Sequence, residues 1–150
     1  MTMSILSRPW NTARTHHYAL YASPLDPCPT IGDVRAMQFV MENMRCDGII
    51  IAVAEEYRQK DPPILCYNTL SDRVELARSL RHVVDVTTYR TEDELYQILR
   101  DKQPTFQILR PADADLFQGT PLGIQPVYAE QLEATNYRHD LLERIQRGQH

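Results

Sequence analysis

The sequence predicts an α/β domain of three layers, with about five mainly parallel strands and helices on both faces of the sheet. Three observations carry this expectation. From Tyr18 onward, strand-like and helix-like segments alternate with regular spacing. The run Gly48–Ala54, GIIIAVA, is apolar throughout, as suits a strand covered on both faces. Finally, Asp, Thr or Ser stands ahead of the helix-like segments, where a side-chain oxygen can accept the free N–H groups of a first turn.

The elements follow in order. Residues 18–22 (YALYA) read as a first strand, followed by a loop dense in Pro and Gly, SPLDPCPTIG. Asp33 is the expected N-cap of a helix running to about residue 45, with an apolar stripe of Val34, Met37, Val40/Met41 and Met44. After GIIIAVA comes a polar loop, 55–68, holding Lys60 and Pro62-Pro63. Thr69 or Ser71 caps the next helix, which buries Val74, Ala77 and Leu80. Residues 83–88 form a third strand. Thr91 and Glu94 form a capping box for a helix burying Leu95, Ile98 and Leu99. Strands are expected at 105–109 and 124–128, and a closing helix at 136–147. A parallel sheet of this kind binds ligands beyond the carboxyl ends of its strands, so the loops 23–33, 55–68 and 110–120 should converge on any site.

Composition narrows the classes. At 150 residues, 43% hydrophobic and 24% charged, the chain suits one globular domain and not a disordered one. Its net charge of −4 and lack of a basic stripe argue against nucleic acid as a partner. No apolar run is long enough to cross a bilayer, and residues 1–17 lack the apolar centre of a secretory signal, so a cytoplasmic protein is expected. Cys28, Cys46 and Cys66 form no CxxC pair and read as reduced thiols; no zinc-ligand spacing is present. Residues 1–17 read as an arm, with Trp10 packed locally or against a second copy or partner protein, and 18–150 as the domain.

Four fragments in order resemble the cytidylyltransferase-like nucleotidyltransferases. In ALYASPLDPCPTIGDVRAM, Leu25-Asp26 stand where that family has Phe-Asp, and Thr30-Ile31-Gly32-Asp33 where it has (H/T)xGH. The strand IIIAVA is similar to the family's second strand. YNTLSDRVELARSLRHVVDVTTY resembles its Arg-bearing helix and following "VD-V", with Arg73 at the Arg. FQILRPAD resembles its "LVKGAD" turn, with Arg110 for the Lys and Asp113 for the Asp. The resemblance covers about residues 18–113 and implies a Rossmann-like fold. It also implies attack by a small phosphorylated or alcohol acceptor on the α-phosphate of a nucleoside triphosphate, with Mg2+ and release of pyrophosphate. The chain departs from the pattern twice. The second His of (H/T)xGH is Asp33, an acceptor where the family uses a donor. The family's "ISTTxI" helix start reads ATNYRHDLLERI.

The resemblance makes Thr30, Asp33 and Arg138 candidate catalytic residues, and Asp26, Gly32, Arg73, Arg110 and Asp113 candidate nucleotide-binding residues. Asp33, Asp26, Gly32 and Arg73 also have purely structural readings. Asp33 caps a helix, Asp26 orders its loop through Asx-turn bonds, and Gly32 serves a turn of positive φ. Arg73 lies along a helix surface. Arg110 suits a phosphate as a guanidinium does, and Arg138, with His139, stands where the Ser/Thr contacts are missing. Two functions follow: a cytidylyl- or adenylyltransferase, or a catalytically inactive relative serving as a nucleotide-binding or structural module. If Asp33 only caps, Asp33→His is expected to tighten nucleotide binding by removing a negative charge.

Overall fold

The computed structural model describes residues 16–26, 29–56, 66–135 and 147–148. Residues 1–15 of the arm, Cys28, Lys60, the expected closing helix, and Arg138 and His139 lie outside the described residues. Among the described residues, five strands, β1 (Tyr18–Ser23), β2 (Gly48–Ala54), β3 (Val83–Tyr89), β4 (Phe106–Leu109) and β5 (Gln125–Tyr128), form one sheet in the order β3-β2-β1-β4-β5. Every pairing is parallel. Among the described residues, three α-helices cross between them: α1 (Ile31–Asn43), α2 (Leu70–Arg78) and α3 (Glu92–Lys102). Short 3-10 turns lie between β4 and β5, at Pro111–Leu116 and Thr120–Leu122, and after β5, at Glu130–Thr135.

All seven residues of β2 are buried, the outcome its unbroken apolar run predicts for a strand with layers on both sides. In β1 the pleat sorts neighbours to opposite cores. Ala19 and Tyr21 join Ala36, Met37 and Val40 of α1, Ala77 of α2 and Leu132. Leu20 joins Leu95 and Leu99 of α3 with Ile124. Helices therefore cover both faces, giving the three-layer Rossmann-like arrangement.

Two helix starts differ from the sequence expectation. The N-cap of α1 is Thr30, and Asp33 sits three residues on as its partner in a capping box. An acid at that third position can reach back to the cap's N–H, so Thr and Asp together outcompete Asp alone. The helix stops at Asn43, two residues early, because Arg45 takes a left-handed φ of 53°. Its buried stripe is Ala36, Met37 and Val40, while Val34 is exposed. At α3, Thr91 accepts from the Glu94 N–H as expected, but the Glu94 carboxylate accepts from Arg90, not Thr91. Thr69 caps α2 by accepting from the Asp72 N–H.

The chain leaves β1 toward β2 and β3 on one side, then returns past it to β4 and β5 on the other. The order of strands reverses between β1 and β4, so the crevice this topology opens lies beyond their carboxyl ends.

Candidate functional site

The loop leaving β1 is tightly ordered. Leu25 adopts φ 51°, and its N–H donates to Ser23 Oγ at 3.1 Å. This turn carries Asp26 inward, where it is fully buried. Its two oxygens accept from successive backbone N–H groups, Tyr67 at 2.6 Å and Asn68 at 2.8 Å.

Arg73 works from the other side of the same segment. Its Nε donates to the Asn68 carbonyl at 3.1 Å, and Nη1 donates to the carbonyls of Pro24 at 3.1 Å and Ala54 at 2.6 Å. Nη2 donates to Glu55 O at 3.0 Å. The residue is only 2% exposed, so its guanidinium is a buried cation solvated by carbonyl dipoles, stitching the ends of β1 and β2 to the 66–68 segment. The surface position expected from sequence is thus corrected: α2 points Arg73 into the protein. Asn68 is gripped at its N–H by Asp26 and at its carbonyl by Arg73, which unites two predicted residues in one latch. Cys66 lies beside that latch. Burial pushes its thiol up to about 11, with Asp26 and Glu56 adding to the rise and Arg73 opposing it.

Thr30 and Asp33 are brought together directly. Asp33 N–H donates to Thr30 Oγ1 at 3.2 Å, and Thr30 N–H donates to Asp33 Oδ2 at 2.7 Å. The remaining oxygen, Oδ1, accepts from the Tyr21 hydroxyl at 2.5 Å. Asp33 is 1% exposed. Its carboxylate is turned into the core beneath α1, and its charge already complements the positive end of the helix dipole. Gly32 is a buried residue inside the first turn of α1, not the positive-φ turn that was one of its readings. Tyr21 is the site residue that sequence reasoning missed. Its place in the alternation of β1, on the face of Ala19, is the signal that aims it at α1.

Arg110 follows β4. Since Tyr21 pairs with Ile108, Arg110 leaves the sheet level with Ser23, at the reversal of strand order. It makes a two-pronged ion pair with Asp113, Nε to Oδ2 at 2.8 Å and Nη2 to Oδ1 at 2.9 Å. The Arg110 side chain is 40% exposed, in contrast to Arg73. Arg90, at the carboxyl end of β3, pairs with Glu55.

Chemically, the arrangement offers two things to an anion at the switch point. One is the partly exposed guanidinium of Arg110. The other is the N–H groups of Ile31 and Gly32, which a first turn leaves outside its own hydrogen bonding once the capping box has used that of Asp33. The carboxylates fit a protein-held Mg2+ poorly, because Asp26, Asp33 and Asp113 each already accept from N–H or O–H donors. Among the described residues, no three His, Cys, Asp or Glu side chains gather as metal ligands. Nor is any helix among them long and apolar enough to cross a membrane.

Fold and site together define a parallel, doubly wound α/β domain with a capped helix at its switch point. No family model and no curated protein matches the chain. Among solved structures it is similar to a lipopolysaccharide core biosynthesis protein from Thermoplasma volcanium GSS1, with a TM-score of 0.60 at 12% identity. The match covers 76% of this chain and 96% of the other. At that identity the likeness establishes the shared fold.

Proposed function

We propose that this chain is a nucleotidyltransferase-like protein that takes a nucleotide at the switch point of its sheet without transferring it. The observation that carries this reading is the environment of Asp33. At the place where the resembling family presents a donor to the α-phosphate, this chain has a buried carboxylate bonded to Tyr21 and to the Thr30 N–H. Transfer needs charge stabilisation on the phosphorus and its leaving oxygens. A carboxylate supplies the opposite sign. The topology, the loop after β1 and the first-turn N–H groups of α1, which have no acceptor within the helix, suit binding, and Mg2+ enters only as the counter-ion that a triphosphate brings with it.

The experiment is calorimetric titration of the full chain with CTP, ATP, GTP and UTP in Mg2+, alongside a pyrophosphate-release assay with small phosphorylated and alcohol acceptors. Saturable binding of one triphosphate with no pyrophosphate is expected. Pyrophosphate release dependent on an acceptor would establish the cytidylyl- or adenylyltransferase reading instead. Absence of binding by every nucleotide would leave a structural module.

A further inference from the structure

Strand β3 forms one edge of the sheet, and among the described residues nothing pairs with its outer side. The sequence VVDVTTY is β-branched or aromatic at every position but Asp85. An edge of this length and composition is a template for another strand. The structure shows which groups it presents. Tyr89 O accepts from Glu55 N–H, so Tyr89 faces β2. Alternation along the strand then turns Thr87 and Asp85 inward as well, leaving the N–H and C=O groups of Val84, Val86 and Thr88 outward. The register shift opposite Ile49 and Ile50 places one extra residue at Val83–Val84, and the pairing with β2 is regular from Asp85 to Tyr89.

We propose that β3 pairs antiparallel with β3 of a second copy, about a two-fold axis at Val86, to make one continuous sheet across a dimer. This register joins outward-facing residues only. Val86 meets its symmetry mate, and Val84 of each copy meets Thr88 of the other, giving about six interchain hydrogen bonds. Asp85 falls opposite Thr87, so its charge never meets its own copy. It is also paired with Lys102 at 2.7 Å within its own chain. Charges flanking the strand favour the same antiparallel direction. The chain entering β3 is basic, with Arg78 and Arg81. After β3, Arg90 is paired with Glu55 of its own chain, and the start of α3 that follows is acidic, with Glu92, Asp93 and Glu94. Antiparallel pairing sets Arg81 of one copy opposite Thr91 of the other, beside that acidic turn. Val84, 57% exposed here, is then covered.

Sedimentation of the full chain tests this. A dimer at micromolar concentration is expected, weakening as salt rises. Thr88→Pro removes an outward N–H from an exposed position and, by symmetry, two interchain bonds. It should raise the dimer dissociation constant about tenfold or more. The natural chain supplies a check that needs no substitution: amides of Val84, Val86 and Thr88 should exchange more slowly as concentration rises. A monomer at 100-fold the micromolar range, unprotected outward amides, or a dimer that survives Thr88→Pro but is lost on removal of residues 1–15, would overturn the proposal.

Discussion

Replacing Asp33 with His is the sharpest test of how this site is built. The carboxylate serves the Tyr21 hydroxyl, the Thr30 N–H and the dipole of α1 at once, from a position 1% exposed. An imidazole cannot accept both hydrogen bonds in that geometry, and each buried donor left without a partner costs about 1–3 kcal/mol. Loss of the acidic half of the cap and of the favourable charge at the helix N-terminus adds about 1 kcal/mol. With one donor left unpaired the sum is about 2–4 kcal/mol, a large part of a domain's stability, and corresponds to a fall in Tm of about 5–15 °C at this chain length. The side chain at this position faces the core, so the substitution that from sequence restores a donor and tightens binding is here expected first to cost stability. Thermal and urea unfolding followed by circular dichroism measure the loss. Asp33→Asn, which keeps one acceptor, should fall about halfway, and Tyr21→Phe in the Asp33→Asn background should cost less than in the natural chain because the two share a bond. An Asp33→His protein melting within about 2 °C of the natural one, or releasing more pyrophosphate, would refute the reasoning.

Arg73→Met should lower stability by about 3–5 kcal/mol, read as a lower urea midpoint, because buried carbonyls from three segments lose their donors; Arg73→Lys should recover little, since one ammonium cannot span that fork. Cys66 alkylation, followed by peptide mass spectrometry, should show a pH–rate midpoint near 11 in place of the ordinary 9.0. The same shift means the folded chain holds this proton more tightly than the unfolded one, so its contribution to stability is whole below pH 9 and declines between 9 and about 11. Gly119→Ala should destabilise by about 1–3 kcal/mol, because an added Cβ would lie 2.7 Å from the Phe117 ring and 2.8 Å from Ile124 Cβ; a neutral result in thermal melting would show that this loop yields.

Periodicity and capping chemistry are local, and so the layers of this protein were legible in its sequence. GIIIAVA announced a strand buried on both faces and occupies β2 residue for residue. Thr69 and Thr91 stood where helices begin, and the alternation of elements implied parallel pairing. What sequence alone left open was the direction in which polar side chains face. Arg73 looked like a surface charge on a helix until α2 packed on β2 and turned it toward carbonyls contributed by residues 24, 54, 55 and 68. Backbone carbonyls carry no sequence signal, so no pattern could have named those partners. Asp33 was identifiable as a capping residue, but its third partner, Tyr21, comes from a strand twelve residues earlier that only the sheet brings beneath the helix. Which segments become strands and helices follows from local pattern, because hydrophobic period and cap oxygens act within a turn or two. That Asp26, Thr30, Asp33 and Arg73 bond inward is a product of packing, because the burial that makes those bonds matter is created by elements distant in the chain.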